Sequence, residues 1–410
     1  MATPEPARSR AARLLFAILL LAVTALAQSA PRIGLVTMEP GPEYWSRFGH
    51  NALLVEDAER ATLYNYGYFD FDQPGFLTRF LQGRMLYQLV ALPLERDLAG
   101  YAAEGRGVSL QWLALSPAAS TELAAFLAHN ARPENAEYRY DYFTDNCSTR
   151  VRDALDRALG GELSRQLRGR SHGYTYRSEA RRLAASLPWM YFGIHLGLGP
   201  FTDRPLSLWE EGFIPMRLRE AIAEARTAGG EPLVRETREL LPHRLAPSAA
   251  EPPAWRSGFV LVGIALALGF TWLLTPRAGT LRRRAGAVML IALWVLFGLG
   301  GLGLLALWGF TDHAAAWENE NALLFNPLCL LLLAAIPALW RDRPIRRWLQ
   351  RVALAVALCG GLALFLKFLP FRIQDNGDWI ALLLPLHTAL ALRLAQRGAS
   401  DPAHPRRDNR

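Results

Sequence analysis

Two short polar segments carry residue types suited to nucleophilic catalysis. Phe48–Asn51 contains His50, and about a hundred residues later Asp145–Arg150 contains Cys147, the one cysteine outside the strongly apolar C-terminal third. An apolar stripe at helical spacing follows directly, made of Val151, Leu155 and Leu159. It predicts that Cys147 lies at a helix N-terminus, where unpaired backbone N–H groups and the helix dipole favour a thiolate. Together the two segments predict a cysteine nucleophile with a histidine base.

Acyl chemistry by such a pair also needs hydrogen-bond donors for the oxyanion beside the sulfur. The backbone N–H groups of Cys147 and Ser148 are natural donors at a helix start. The hydroxyl of Tyr142 is a further candidate, with aromatic packing as its alternative. Asp145 and Asn146, just before the sulfur, are expected to cap the helix, and a catalytic role is their lesser alternative.

The N-terminal segment predicts export. Arg8–Ala30 has a basic start, an apolar core and small residues near its end. This is the layout of a secretory signal peptide cleaved near Ala27 or Ala30. An uncleaved N-terminal anchor is the alternative. Both interpretations send the following domain across a membrane.

Five apolar stretches beyond residue 257 are each near the length needed to cross a bilayer core. They are Gly258–Leu274, Ala285–Phe310, Ala322–Trp340, Val352–Leu369 and Trp379–Leu394. The loops after the first and third stretches and the C-terminal tail are rich in arginine, whereas the other two loops are not. By the positive-inside rule the arginine-rich segments are cytoplasmic. The domain before the first stretch is therefore predicted to be extracytoplasmic.

These features divide the chain into parts. We predict a signal peptide or anchor at 1–30, an extracytoplasmic domain at 31–225, a linker at 226–256, an all-α transmembrane domain of five helices at 257–397 and a cytoplasmic tail at 398–410. The extracytoplasmic part mixes strand-like and helix-like segments without repeats. This mixture predicts an α+β fold with a small, mostly antiparallel sheet.

Charge and cysteine content exclude some classes. Much of the net charge of +8 comes from the arginine-rich loops and tail, so topology accounts for it and we predict no nucleic-acid partner. Three cysteines, two of them (Cys329 and Cys359) inside predicted spans, are too few for a disulfide framework. No zinc-type spacing and no phosphate-binding glycine loop is present in the sequence, so we predict no metal and no cofactor.

Three blocks of the sequence together resemble a known family. Phe48–Val55, Tyr64–Phe71 and Tyr138–Asp153 resemble the N-terminal periplasmic domain of the bacterial lipoprotein N-acyltransferases. That domain is similar to a circularly permuted, papain-like (NlpC/P60-related) fold, in which the histidine strand precedes the cysteine helix. The resemblance covers about residues 30–225 and continues into the membrane part between Thr311 and Pro327.

The resemblance implies a site and a reaction. Cys147 is the implied nucleophile, His50 the base, and Asn65 the third member, with a structural role at a strand edge or bulge as the alternative for Asn65. The implied acyl donor is a membrane phospholipid and the acceptor a diacylglyceryl lipoprotein, with a Cys147 thioester between them. The implied location is the periplasmic side of the bacterial inner membrane.

Residues outside these blocks supply candidates for substrate contact. Asp312, His313 and Asn319 lie in the loop Thr311–Asn321, where the second apolar stretch ends. A head-group or acceptor site and an interfacial loop with an aromatic anchor are the two interpretations. Arg150 similarly either meets a phosphate or lies on a helix surface.

Two other functions remain open at this stage. The same cysteine and histidine would serve a cell-wall amidase or peptidase, or a lipid deacylase. A non-enzymatic scaffold or transporter accessory, with Cys147 merely buried, is the other alternative. Five predicted spans argue mildly against a cell-wall hydrolase, for which one anchor suffices.

Overall fold

The computed structural model describes residues 30–276 and 278–398. The predicted signal peptide or anchor and the predicted tail lie outside these residues, apart from one residue of each. The strands are β1 (Arg32–Met38), β2 (His50–Glu56), β3 (Ala61–Tyr68), β4 (Leu86–Pro93), β5 (Val108–Leu113), β6 (Glu137–Arg139) and β7 (Val234–Leu241). They form one sheet in the order β6-β4-β3-β2-β1-β5-β7, and every pair is antiparallel.

Helices surround this sheet. They are α1 (Phe76–Gln82), α2 (Leu94–Glu104), α3 (Pro117–Asn130), α4 (Pro133–Ala136), α5 (Cys147–Ala158), α6 (Glu162–Leu167), α7 (Tyr176–Leu183), α8 (Pro188–Gly197), α9 (Leu208–Glu211) and α10 (Pro215–Glu224), with a 3-10 turn at Pro200–Asp203. The antiparallel sheet with helices packed on it confirms the predicted mixture of helices and strands.

Successive side chains of a strand point to opposite sides of the sheet, and the central strands are buried on both of these sides. On one face, Leu35 and Leu53 pack in a core that includes Val151 and Leu155 of α5. On the other face, Val36 and Leu54 belong to a second core, against which residues of α2 pack. The predicted apolar stripe after Cys147 therefore holds α5 on the sheet.

Strand β7 lies at one edge of the sheet, paired with β5. It falls within residues 226–256, the segment expected to be a linker, so the sheet occupies part of that segment. Most of its residues are exposed and several are charged. Charged side chains are a common protection of an edge strand against pairing with another chain, and they give the segment a linker-like composition.

The C-terminal region is helical. Its helices are α11 (Arg256–Leu273), α12 (Thr280–Phe310), α13 (Cys329–Leu332), α14 (Ile336–Trp340), α15 (Arg347–Leu366) and α16 (Gly377–Gln396), with 3-10 turns at Ala314–Ala316, Glu320–Leu323 and Leu333–Ala335. Among the described residues, four helices are long and apolar enough to cross a membrane: α11, α12, α15 and α16. They correspond to four of the five predicted spans.

The third predicted span, Ala322–Trp340, differs from the others. Its helical part is the shorter apolar segment Cys329–Trp340, and twelve residues at about 1.5 Å each reach only about 18 Å. The chain before it is irregular but buried, with Asn321 and Asn326 almost inaccessible, and irregular backbone at membrane depth requires such burial. Gly301 of α12 makes room for it, because a Cβ there would collide with the carbonyl oxygen of Phe325.

The two domains are joined at α8. Phe192 and Leu196 of α8 pack against the apolar core of the C-terminal helices. The side-chain amides of Asn319 and Asn321 donate to the carbonyl oxygen of Leu196 at 2.8 and 2.9 Å. Gln374 donates to the Asn319 side-chain oxygen at 2.8 Å. Gln374 also donates to the carbonyl oxygen of Leu198 at 3.3 Å, so the arginine-poor loops 311–321 and 371–378 are both in contact with the first domain.

Candidate active site

The His50 strand and the Cys147 helix meet where β2 and β3 separate. Their pairing starts at Leu53 opposite Tyr64, so the first residues of β2 have no partner on β3. The first turn of α5 meets this end of β2, because Ser148 of the helix is hydrogen-bonded to Asn51 of the strand. The backbone N–H groups of Asn51, Ser148 and Cys147 itself lie near the Cys147 sulfur and act to lower the pKa of the thiol. The structure therefore brings the two predicted segments together at the thiol.

Asn51 locks the strand and the helix to one another. Its buried side chain accepts from the Thr37 hydroxyl at 2.8 Å and donates to the Ser148 hydroxyl at 3.0 Å. The Ser148 hydroxyl in turn donates a hydrogen bond to the carbonyl oxygen of Gly212 at 2.6 Å. Our sequence reasoning gave Asn51 no role, although it adjoins His50 in the same block. Its position directly after the histidine was the available signal.

Asn146 is the N-cap of α5. Its side-chain oxygen accepts from the backbone N–H groups of Ser148 and Thr149, both at 2.9 Å, and the Thr149 hydroxyl accepts from the Asn146 N–H at 2.8 Å. Its amide nitrogen donates to the carbonyl oxygens of Tyr142 and Phe213, each at 3.0 Å. Asn146 thus sets where the helix begins. Because the Ser148 N–H is shared with this cap, the Cys147 N–H is the freer oxyanion donor.

His50 is oriented by a chain of two further residues. Its Nε2 lies 3.0 Å from the side-chain oxygen of Asn65, and the Asn65 amide nitrogen donates to Asp97 at 2.9 Å. Since the amide nitrogen is committed to the carboxylate, the amide oxygen accepts from His50 Nε2–H. That tautomer leaves Nδ1 as the ring nitrogen able to accept a proton. Asp97 comes from the first turn of α2 and was missed, because nothing in its local sequence separates it from an exposed helix-start acid.

Burial keeps both members of the pair neutral. Desolvation lowers the pKa of His50 to about 4, against an opposing hydrogen bond from Asn65. Desolvation likewise raises the pKa of the Cys147 thiol, and the surrounding backbone N–H groups only partly offset it. The helix start thus favours the thiolate as expected, but burial outweighs it. Because His50 titrates below its unfolded value, it stabilises the fold above about pH 6.5, and this contribution is lost as the pH falls toward 4.

Gly67 and Tyr138 shape the space beside the sulfur. Gly67 has φ +90°, and a Cβ on it would lie 3.3 Å from the Cys147 Cβ and 3.8 Å from the Tyr138 hydroxyl oxygen. The missing side chain therefore leaves a small gap bordered by the Cys147 Cβ, the Cys147 backbone nitrogen and the Tyr138 hydroxyl. The buried Tyr138 hydroxyl has no hydrogen-bond partner among the described residues, which is unusual for a buried polar group.

Two other predicted residues lie on or just before the Cys147 helix. Arg150 forms an ion pair with Asp145, with Nη2 to Oδ2 at 2.7 Å, and its guanidinium stacks 4.2 Å over the Tyr138 ring. The Tyr142 hydroxyl contacts the Met85 sulfur at 3.5 Å. The Arg150 charge is thus already neutralised by a neighbour, while Tyr142 remains a predicted donor.

The three candidates in the loop 311–321 fall into two places. Asp312 pairs with Arg84 at 2.8 Å and with Arg139 at 2.7 Å. The His313 ring lies parallel to that of Tyr142, with centroids 6.4 Å apart. Asn319 is instead buried at the α8 junction. Asp312 and His313 thus lie beside the tyrosine run that precedes Cys147, and Asn319 does not.

Three further histidines of the first domain lie beside polar groups away from Cys147. His172 Nδ1 meets Glu211 at 2.7 Å, His195 faces Asp378 at 3.3 Å, and His243 accepts from the Gly107 N–H at 3.0 Å. Within residues 30–276 and 278–398, no three His, Cys, Asp or Glu side chains are grouped as metal ligands.

Comparison with known families assigns both halves of the chain. Residues 24–181 match the Lnb N-terminal periplasmic domain, and residues 259–398 match the Lnb transmembrane domain. The chain belongs to the Lnb family. Neither a curated protein nor a solved structure matches it. For this Lnb-family protein, the first match covers His50, Asn65, Asp97, Tyr138 and Cys147.

The cap of α5 gives a first prediction. Asn146→Ala should lower the free energy of unfolding by about 1–2 kcal/mol and reduce activity, because the helix start then no longer fixes the sulfur. Ser116→Ala removes the matched N-cap of α3, where the Ser116 side chain accepts from the Ala119 N–H at 3.2 Å. It should cost stability without the activity loss. Thermal melts give the loss of stability of each variant, and turnover assays give its loss of activity. If both variants lose the same activity for each kcal/mol of stability lost, a positioning role for Asn146 is contradicted.

The pKa directions give a second prediction. With a raised thiol pKa and a neutral imidazole, alkylation of Cys147 by iodoacetamide should accelerate steadily as the pH rises from about 6 to about 9. The rate is followed by mass spectrometry, and the Cys147→Ala variant supplies the background from the two other cysteines. A rate already at its plateau near about pH 7 would instead indicate a preformed thiolate–imidazolium pair.

Proposed function

We propose that this Lnb-family protein is a cysteine-dependent acyltransferase of the bacterial inner membrane. It moves a fatty acyl chain from a phospholipid to the α-amino group of the N-terminal diacylglyceryl-cysteine of lipoproteins. The observation that carries the proposal is that α5, which begins at the Cys147 thiol, is hydrogen-bonded to strand β2, whose His50 is oriented by Asn65 and Asp97. The His50 strand precedes the Cys147 helix along an antiparallel sheet, which supports a circularly permuted papain-like fold.

The first half-reaction forms a thioester. His50 Nδ1 takes the proton of Cys147 as the sulfur attacks the ester carbonyl carbon of the phospholipid. The C–O bond of the ester then breaks, and the departing lysophospholipid alkoxide receives the proton from His50. A neutral resting pair suits this sequence, because the imidazole is free to accept the proton when the ester arrives.

The second half-reaction forms an amide. The α-amino group of the lipoprotein attacks the thioester carbon and gives a proton to His50. The C–S bond breaks, and the sulfur recovers that proton as Cys147 is released as a thiol. The products balance the substrates: one ester is lost, one amide is gained, and no cofactor takes part.

Both steps pass through an oxyanion that needs hydrogen-bond donors. We propose that the Cys147 backbone N–H and the Tyr138 hydroxyl provide them, because the hydroxyl is buried, has no partner in the described part of the chain and borders the gap left by Gly67. Tyr142 is then a residue of the surrounding aromatic wall.

The membrane domain supports a lipid substrate. The loops 311–321 and 371–378, which the arginine pattern assigns to the outer side, are the ones in contact with the first domain. We therefore propose that the site faces the periplasmic leaflet. Confining enzyme, donor and acceptor to one bilayer raises their effective concentrations.

The central test is removal of the thiol. Cys147→Ala should abolish lipoprotein N-acylation in a strain that depends on this protein, together with the hydroxylamine-sensitive acyl adduct on the enzyme. Cys359→Ala, in α15, is the matched control and should retain both. Full N-acylation by Cys147→Ala, measured by mass spectrometry of lipoprotein N-termini, would refute the proposal. Peptidoglycan cleavage lost in the same variant would point to the amidase.

The oxyanion role of Tyr138 has its own test. Tyr138→Phe keeps the ring and removes the hydroxyl, so kcat should fall by about 10²-fold or more with little change in KM. Tyr142→Phe is the control and should lose much less. An unchanged kcat in Tyr138→Phe would exclude the hydroxyl as a donor.

A further inference from the structure

Helix α1 exposes an apolar surface that has no partner in the described chain. None of its residues is buried, and Leu77 and Leu81 are 66% and 59% exposed. Phe80 is on the same helix, and Phe71 and Trp45 extend the surface with their rings 6.0 Å apart. We call these five residues the α1 patch. Contiguous exposed apolar surfaces of this kind are sites of interaction.

The α1 patch adjoins the membrane-spanning helices. The Asp312 N–H donates to the carbonyl oxygen of Gln82 at 2.8 Å, and the His313 ring bonds to the carbonyl oxygen of Phe80 at 2.9 Å. Both residues come just after Phe310, the last residue of α12, which is 86% exposed. The end of α1 is therefore bound directly to the end of a span, and its apolar surface continues the lipid-facing surface of that span.

A series of aromatic rings leads from the α1 patch toward the thiol. Phe76 of α1 stacks with Phe69 at 6.3 Å, Phe69 with Tyr87 at 5.0 Å, and Tyr87 with Tyr140 at 4.2 Å between centroids. Tyr140 and Cys147 pack against the same core. The rings thus extend from α1 to the core against which Cys147 packs, and an acyl chain that entered at α1 would meet them.

We propose that the α1 patch inserts into the outer leaflet of the bilayer and admits phospholipid acyl chains from there toward Cys147. Short helices with exposed leucine and aromatic side chains lie in the membrane interface in this way. Continuity with α12 favours lipid over a protein partner, because that surface must already face acyl chains. The insertion stands on this surface alone, whereas the route to Cys147 rests on the proposed acyl transfer.

Photo-crosslinking tests the insertion on the full chain. A benzophenone side chain is introduced at Leu81 and, as a control, at Glu122, an exposed residue of α3. After illumination in native membranes, intact-mass analysis should show a phospholipid adduct at position 81 and none at 122. Equal lipid adducts at both positions, no adduct at 81, or a protein adduct there would overturn the proposal.

A kinetic measurement tests the route. In reconstituted vesicles, Leu77→Ser and Leu81→Ser should raise the apparent KM for the mole fraction of donor phospholipid several-fold, while Glu122→Ser should leave it unchanged. An unchanged KM in the α1 variants would exclude delivery along the aromatic series. The lipid adduct at position 81 does not require Cys147. Loss of the adduct therefore contradicts the insertion alone, whereas full N-acylation by Cys147→Ala contradicts the proposed acyl transfer alone.

Discussion

The fit of the α5 N-terminus into the gap between β2 and β3 is the constraint on which the rest of the structure depends. A helix start carries unpaired N–H groups that must find acceptors. Here the Asn146 side chain accepts from two of them, those of Ser148 and Thr149, and the Cys147 N–H is left next to the sulfur. The gap exists because β3 leaves β2 after Tyr64. Gly67 then lets the strand pass close to the helix without a side chain between them.

This arrangement explains why the site is neutral at rest. The same burial that fixes the sulfur among backbone donors removes it from water, and desolvation costs more than those donors return. His50 experiences the same environment, so its imidazole also stays uncharged. The Asn65–Asp97 pair does not make the His50 imidazole charged. It selects which tautomer of the neutral ring is present.

Much of the first domain could be predicted from local pattern. The start of α5 at Cys147, its cap at Asn146 and the antiparallel pairing of the strands follow from periodicity and capping residues, and the structure has them. The roles of Asp97 and of the unpartnered Tyr138 hydroxyl could not be predicted from the sequence, because they depend on neighbours that are distant along the chain. Strand β7 escaped prediction because its charged residues suit an edge. The third span is broken by a buried polar segment whose acceptors lie on α8, in the other domain.

The attachment of the first domain at two separate loops has a mechanical consequence. The loop 311–321 binds the end of α1 through Asp312 and binds α8 through Asn319. The loop 371–378 binds α7 through Asp375 and the residue that follows α8 through Gln374. Contacts at two separate loops restrict rotation of the first domain about the segment that connects it to the helices. The C-terminal helices therefore hold the first domain in a fixed position relative to themselves. For the proposed acyl transfer, such an attachment would fix the height of the site above the bilayer, so membrane thickness would become a determinant of which ester bond is presented.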